Sequence, residues 1–187
     1  MDIGWQTSGG YFAAMVHTLR ELGRLEAVWQ AAPAQVRELL DSPRRHAWWS
    51  GETSIDFART LEQVGGRDLV VELGRRATPR ALGRGFVPAV STLITLTSGT
   101  PDALLARSGL LIAVLVKNVK TAWQPSGPQG GHFSARYPSA NLPVYAAFWE
   151  GALELIFTIS KTTGAIRLLE HFEGEYRFEV SWERMKR

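Results

Sequence analysis

A short run of alternating polar and apolar residues, 132–137, has the spacing best suited to chemistry in this sequence. If the run forms a strand, His132, Ser134 and Arg136 point to the same side of the sheet. An arginine held by a sheet, with a serine beside it, can bind a carboxylate or phosphate through two parallel hydrogen bonds. We therefore predict a ligand site here, although a solvent-exposed outer face explains the same alternation. The predicted ligand-binding residues are His132, Ser134, Arg136, Tyr137, Tyr145 and Trp149.

Groups for catalysis or metal binding do not converge elsewhere in the sequence. It has no Gly-rich phosphate loop and no His-Glu-x-x-His or Gly-x-Ser-x-Gly motif, and its four histidines lack the spacing of metal ligands. Glu150 and Glu154 share a helix face, but acid–base catalysis needs a polar cleft that separates their pKa values. In an apolar helix they indicate a solvent-facing edge instead. We predict no catalytic residue, no metal and no cofactor, and hence a protein that is not an enzyme.

Two clusters of aromatic or basic residues are candidates for an interaction surface. Trp48 and Trp49 follow a short basic run, which suggests stacking on a partner; the alternative is a turn whose tryptophans anchor a loop to the core. Arginines on one predicted helix form either a partner surface or a solvated face. The predicted interaction residues are Trp48, Trp49, Arg75, Arg76 and Arg80.

Length and composition limit the number of domains and the classes of partner that we expect. With 187 residues, 45% of them apolar, we predict one domain, 1–187, with a mainly helical part (1–120) and a second part (121–187). The net charge of +3 comes without a basic stripe, which argues against nucleic-acid binding. Two glutamates in the most apolar stretch oppose a membrane span. The absence of cysteine fits a reducing cytoplasm, and the first residues lack the features of a signal peptide.

The first part of the chain shows the periodicity of helices. Thr7 or Ser8 is a suitable cap for the first, and Thr100-Pro101 starts the last. Pro79 is expected to interrupt a helix or to start a new turn. The predicted helices are 8–22, 25–32, 34–40, 55–64, 68–84, 86–97 (buried) and 101–119.

The second part predicts a sheet with one long helix. Strands at 121–124 and 132–137 are separated by a Pro- and Gly-rich loop, and Ser139 or Asn141 caps a helix at 142–159 that is apolar nearly all round. Gly151 in its middle indicates close approach of another backbone. A hairpin follows (165–172 and 175–182, with a turn at Glu173-Gly174), and its second strand alternates strictly. The fold class is thus α+β: a helical N-terminal layer, then an antiparallel ββ-α-ββ unit with one long buried helix on the sheet.

This ending resembles known families. Three segments resemble DUF2378, a family of uncharacterised proteins expanded in myxobacteria. They are residues 132–138, which lead towards the long helix, the helix segment 145–154 and the strand 176–182. The same helix-then-hairpin order is similar to the 4-vinyl-reductase type domain and to the haem–nitric-oxide-binding (HNOB) domain. The resemblance implies a sensory α/β module with an apolar pocket between helices and sheet.

The sequence departs from those families at their cofactor sites. The haem domain binds the haem propionates with a Tyr-x-Ser-x-Arg motif. This chain has His132 in place of the tyrosine, followed by Ser134 and Arg136. That domain also needs a proximal histidine, and none lies between His46 and His132. The vinyl-reductase type sensors bind zinc through cysteines, which are absent. We therefore expect the scaffold and a pocket without the cofactor.

Three functions remain open at this point. The first is a non-catalytic ligand-binding or regulatory module that takes a small apolar or anionic ligand and forms a homodimer. The second is a protein–protein interaction (adaptor) domain with a filled core and no ligand. The third, an enzyme, needs a convergent polar constellation that the sequence does not show.

Overall fold

A computed structural model of the chain describes residues 4–96, 99–138, 143–172 and 174–184; the side chains of 84–96 and of Arg184 lie outside the description. Within these ranges the elements follow in the order β1 (Gln6–Ser8), α1 (Gly9–Glu21), α2 (Leu25–Ala31), α3 (Ala34–Asp41), β2 (Trp48–Ser50), α4 (Gly51–Leu96), α5 (Pro101–Ala106), α6 (Ser108–Ile112), β3 (Val116–Lys117), β4 (Lys120–Gly127), β5 (Gly130–Arg136), α7 (Val144–Ser160), β6 (Thr162–Phe172) and β7 (Glu175–Arg184). Predictions for Thr97, Ser139, Asn141, Leu142 and Glu173, and for the burial of 86–97, fall outside the described residues or side chains.

The N-terminal part is a layer of helices around a small antiparallel sheet of order β2-β1-β3. Ser8 ends β1 and caps α1, because its hydroxyl oxygen accepts a hydrogen bond from the Tyr11 N–H at 3.2 Å. In the middle strand, Thr7 pairs with Trp49 on one side and Val116 on the other. Among the described residues, no helix has both the length and the apolar character needed to cross a membrane.

The C-terminal part is a four-stranded antiparallel sheet of order β4-β5-β7-β6, with α7 packed across one face. Along β7, Tyr176, Phe178 and Val180 are buried while the intervening side chains face outward, which confirms the predicted alternation. Phe133 of β5 meets Trp149 of α7 with ring centroids 5.6 Å apart. The α+β architecture with one long helix on the sheet is therefore confirmed.

Two glycines let α4 and α7 cross with their backbones in contact. A Cβ added at Gly151 would lie 2.0 Å from the carbonyl oxygen of Val71, and one added at Gly74 would lie 2.5 Å from that of Phe148. Neither position has room for any side chain, so both helices need glycine at the crossing. The prediction that Gly151 marks the close approach of another backbone is confirmed.

Ion pairs flank this crossing. Glu150 accepts from Arg67, and Glu154 accepts from the Arg75 guanidinium at 2.8 Å. The two glutamates therefore face the arginines of α4, and Glu150 is buried, so the edge of α7 that we predicted to face solvent is largely a helix contact.

The predicted helix at 101–119 is wrong in its second half. It divides into α5, α6 and the short strand β3, in which Val116 pairs with Thr7 of β1. The β-branched residues of this stretch suit a strand, and the far end of the chain supplies the backbone partners that local periodicity cannot reveal. Asn118, with φ of 61°, then turns the chain into β4.

Two other divisions of the chain also differ from prediction. The helices predicted at 55–64, 68–84 and 86–97 form the single element α4, which is broken in its backbone angles at Gly66 (φ 65°, ψ −170°) but not at Pro79. The loop predicted at 125–131 is short, because β4 continues through Pro125 with a register shift before Gly127. β4 lies at the edge of its sheet, where a missing N–H is tolerated.

Candidate functional site

An apolar cavity of about 90 Å³ lies on the side of α7 that faces away from the four-stranded sheet. Its walls come from β1, α1, α4, α5, α6, β3 and α7. The sequence predicts an apolar pocket between helices and sheet, and Phe133, Phe178 and Val180 fill the centre of the layer between α7 and the four-stranded sheet. A second opening, with a more polar lining, lies between α7 and β6 beside Glu154 and Gly164. The apolar volume lies on the other side of α7, among the helices and the small sheet.

Hydroxyl groups line the deep end of the cavity. Each has a protein partner: Tyr11 bonds with Thr78 at 2.9 Å, the Trp149 indole N–H donates to the Tyr137 hydroxyl at 2.9 Å, and Tyr145 bonds with Ser54 and Thr7. The hydroxyl-bearing residues of the wall are Thr7, Tyr11, Thr78, Ser108, Tyr137 and Tyr145.

These tyrosines are held in their neutral form. Burial raises the pKa of Tyr11 to about 12, an effect that its hydrogen bond with Thr78 partly offsets. Burial is also the main cause that raises the pKa of Tyr137, with the nearby Tyr145 and Tyr176 adding to it. Burial likewise raises the pKa of Tyr145. All three hydroxyls are therefore protonated hydrogen-bond donors at neutral pH.

Aliphatic side chains form the opposite, more exposed end of the cavity. They are only partly buried, so this end is where the cavity approaches the surface: Leu111, Ile112, Ala152, Leu155 and Ile159. Leu110 of α6 stands next to them and is 69% exposed. A ligand that enters here meets apolar surface first and hydroxyl groups last.

The predicted ligand-binding residues divide into two groups. Tyr137, Tyr145 and Trp149 line the cavity. His132 and Arg136 are exposed and Ser134 is half-buried, and all three lie on the outer face of β5.

The outer face of β5 is a network of charged partners rather than a pocket. His132, Ser134 and Arg136 pair in register with Glu179, Arg177 and Glu175 of β7. Arg136, with 65% of its side chain exposed, donates to Glu175 at 2.8 Å. The guanidinium that we predicted to bind an anionic ligand thus has a carboxylate partner within the sheet.

The predicted interaction arginines also have partners within the chain. Arg75 bonds with Glu154 and Glu72, and Arg76 bonds with Glu72. These pairs connect α4 to α7 and tie successive turns of α4 together.

Arg80 connects α4 to α1. Its guanidinium donates to Glu21 and to the Thr18 hydroxyl, each at 2.8 Å. Trp48 and Trp49 lie in β2 and are half-buried; Lys117 sits 4.0 Å from the centre of the Trp48 ring, and Trp49 packs edge-on against Phe12. A partner surface at these positions remains a prediction.

The sequence interpretation missed the N-terminal wall of the cavity. Tyr11 and Met15 fall within the helix predicted at 8–22, and Thr78 within the one predicted at 68–84, but neither helix is predicted to carry a site. The available signal was a tyrosine on a buried helix face, because a buried phenol requires a hydrogen-bond partner and so marks a polar spot in the core. Within the described ranges, no group of three or more histidines and carboxylates is placed to hold a metal ion.

Solved structures share this fold over nearly the whole chain. The Fe(II) unliganded H-NOX protein from K. algicida matches with a TM-score of 0.70 at 11% identity, covering 96% of this chain and 98% of its own. The fold is similar to that of H-NOX proteins. The S. oneidensis H-NOX protein in the Fe(II)NO ligation state matches with a TM-score of 0.63 at 11% identity, covering 95% of this chain and 99% of its own. A mutant of T. tengcongensis H-NOX matches with a TM-score of 0.56 at 12% identity, covering 95% of this chain and 98% of its own. No family model matches the sequence, and no curated protein matches it.

This likeness supports the haem–nitric-oxide-binding part of the predicted resemblance at the level of the H-NOX fold. Identities of 11–12% carry no residue-by-residue transfer of a site. The DUF2378 and 4-vinyl-reductase parts of the resemblance stay predictions.

The cavity of this H-NOX-like fold does not fit a haem. Its volume of about 90 Å³ is several times smaller than the ~300–1,000 Å³ typical of cofactor pockets. No described wall residue is a histidine, and the sequence has no cysteine. His17 lies beside Glu21, His132 is on the outer face of the sheet, and His171 stacks on Tyr176 with ring centroids 4.6 Å apart. The described wall therefore offers no histidine or cysteine as an axial ligand.

Proposed function

We propose that this chain is a non-catalytic ligand-binding module with a regulatory or sensory role, and that its ligand is a small molecule held without haem in the cavity beside α7. The observation that carries the proposal is the cavity itself. Protein cores contain few voids larger than one water molecule, and a dry apolar cavity of moderately larger size can bind small apolar molecules. A volume of about 90 Å³ corresponds to roughly three waters of liquid.

The fold likeness adds weight to the proposal. One H-NOX neighbour is described in an Fe(II)NO ligation state, so a protein of this shape takes a small ligand. The buried apolar residues form one cluster that joins the 1–120 and 121–187 parts, which supports a single domain. We further propose a cytoplasmic protein that forms a homodimer or binds a protein partner to pass on the signal.

Met15 provides a direct test. The chain has three methionines, of which Met15 lines the cavity while Met1 and Met185 lie near the chain ends. In protein labelled with ¹³C at the methionine methyl groups, dissolved xenon should shift the Met15 signal in a saturable way and leave the other two unchanged. Absence of any selective shift at Met15 would contradict a ligand-accessible cavity.

A filled cavity is the matched control. Ala152 lies in the cavity wall, and Ala152→Leu adds three carbon atoms there, so the xenon response of Met15 should disappear. Thr158 is exposed on the same helix, and Thr158→Leu should leave the response intact. Equal responses in the two variants would show that xenon binds elsewhere.

The adaptor alternative predicts a different result. A filled core would give no xenon response, and charge reversal of Arg75, Arg76 and Arg80 to Glu would change the set of bound proteins. Because these arginines form ion pairs within the chain, the reversal must be matched by a stability measurement. Loss of partners in a variant that remains folded would favour the adaptor.

A further inference from the structure

The Tyr137 hydroxyl has a proton to donate and no described acceptor for it. Tyr137 is buried, with 4% of its surface exposed, and its oxygen accepts from Trp149 at 2.9 Å. A phenol can donate one hydrogen bond in addition to those it accepts, and a buried donor without a partner is destabilising. The other two wall tyrosines differ, because Tyr11 has Thr78 and Tyr145 has Ser54 and Thr7 within reach.

The described wall of the cavity carries no charged side chain. An ion placed there would lose its hydration without gaining a counter-charge, which is strongly unfavourable. A ligand of this cavity is therefore uncharged, and the anionic ligand suggested by Arg136 is not a candidate for this site.

The cavity follows α7. Its wall residues on α7 recur at every turn from Tyr145 to Ile159, which is a distance of about 21 Å along the helix. A volume of about 90 Å³ admits a molecule of only a few heavy atoms, and wall residues that follow the helix favour an unbranched body lying along it. The hydroxyl groups lie at the Tyr145 end and the aliphatic residues at the Ile159 end.

On the basis of the proposed ligand-binding role, we propose that the cavity takes an uncharged molecule with an unbranched hydrocarbon body and one hydrogen-bond acceptor, such as a short-chain ketone. The Tyr137 hydroxyl donates to the acceptor, and the hydrocarbon lies along α7 towards Leu155 and Ile159. Ligand binding supplies an acceptor for the Tyr137 proton, which has none among the described residues.

The test compares 2-pentanone with n-pentane, which have similar shape but differ in the carbonyl. Dissociation constants come from titrations that follow the ¹³C-methyl signal of Met15. Tyr137→Phe frees the Trp149 N–H to act as a substitute donor, so the decisive variant is Tyr137→Phe combined with Trp149→Phe. We expect the dissociation constant of 2-pentanone to rise by roughly 3- to 10-fold more than that of n-pentane in this variant, which is the effect of one hydrogen bond.

Tyr11→Phe is the matched control, because it removes a buried wall phenol whose hydroxyl already bonds with Thr78. It should leave the ratio of the two dissociation constants within about 2-fold of wild type, since no ligand hydrogen bond is lost. A ratio that also stays unchanged in the Tyr137/Trp149 double variant would overturn the assignment of the donor.

A second readout does not depend on any variant. The carbonyl carbon of ¹³C-labelled 2-pentanone bound to the wild-type protein should resonate downfield of its position in hexane, as a hydrogen-bonded carbonyl does. A bound signal at the hexane position would contradict the proposal even if the variants fail to fold. If neither probe affects Met15, the ligand-binding function itself fails; if both bind without carbonyl discrimination, only the acceptor assignment fails.

Discussion

The two sides of α7 are packed to different degrees. Towards the four-stranded sheet, Phe133, Ala135 and Phe178 have no exposed surface, and a Cβ at Gly164 would lie 2.4 Å from the Phe157 ring. Towards α1, α5 and α6, the same helix leaves about 90 Å³ unfilled. Both sides are apolar, so hydrophobicity alone does not explain the difference. The sheet side determines where α7 lies, while the helix side has room for something else.

The largest difference between the two sides of α7 is expected when a large side chain is removed from each of them. Phe178→Ala should lower the free energy of unfolding by about 3–5 kcal/mol, because it opens a new cavity in a filled layer. Leu155→Ala should cost less than about 1.5 kcal/mol, because Leu155 is half-buried and already borders empty space. Denaturant titrations of both variants measure this difference, and equal losses would show that the two sides are packed alike.

The next largest effect is expected where α7 has no free space at all. Gly151→Ala should destabilise the protein by about 3 kcal/mol or more, because the new Cβ overlaps the backbone of α4. Gly83→Ala, also in α4 but with no atom within 4 Å of the added Cβ, should instead stabilise it by up to ~1 kcal/mol through helix propensity. Thermal unfolding of the pair gives the comparison; a tolerated Gly151→Ala would mean that the helices are not in backbone contact.

Enlarging small residues sharpens the contrast further. Ala135→Leu, on the sheet side, should cost about 1–3 kcal/mol through overpacking. Ala152→Leu, on the cavity side, should change the free energy of unfolding by less than about 1 kcal/mol, or increase it, because the added atoms occupy empty volume. If Ala152→Leu proved the more harmful of the two, the cavity would not be real space in solution.

The smallest effect concerns the outer face of the sheet. Hydrogen bonds from Arg136 lower the pKa of Glu175 below its ordinary value of 4.5. The ion pair therefore stabilises the fold above that pH, and its contribution is lost as the pH falls through the lowered pKa. Arg136→Met should reduce stability by less than ~1 kcal/mol at neutral pH, and this reduction should shrink as the pH falls below 4.5. A constant difference across this range would exclude the ion pair as its cause.

The sequence predicts the sheet side of α7 well, because its signals are local. Strict alternation in β7 identifies Phe178 and Val180 as buried, and a glycine within an apolar helix indicates the crossing at Gly151. The cavity side could not be predicted in the same way. Tyr11 and Tyr137 are far apart in the chain and approach each other only through the tertiary fold.

The same limit applies to the polar residues predicted on β5. His132, Ser134 and Arg136 form a polar row, but alternation alone does not say whether the polar face of a strand lines a pocket or meets solvent. The partners on β7, such as Glu175, decide that question, and their register depends on contacts between distant segments. Likewise, β3 exists because Thr7 supplies its partner, which no local pattern around Val116 reveals.

The glycine contact between α4 and α7 has a mechanical consequence. Two backbones that touch have no side chain between them to rotate or compress, so the contact at Gly151 fixes how closely α7 approaches α4. Tyr145 lies about 9 Å along the helix on one side of that point, and Ile159 about 12 Å on the other. Room for a ligand must therefore come from side chains towards the two ends of α7, because the helix cannot move closer to α4 at its middle.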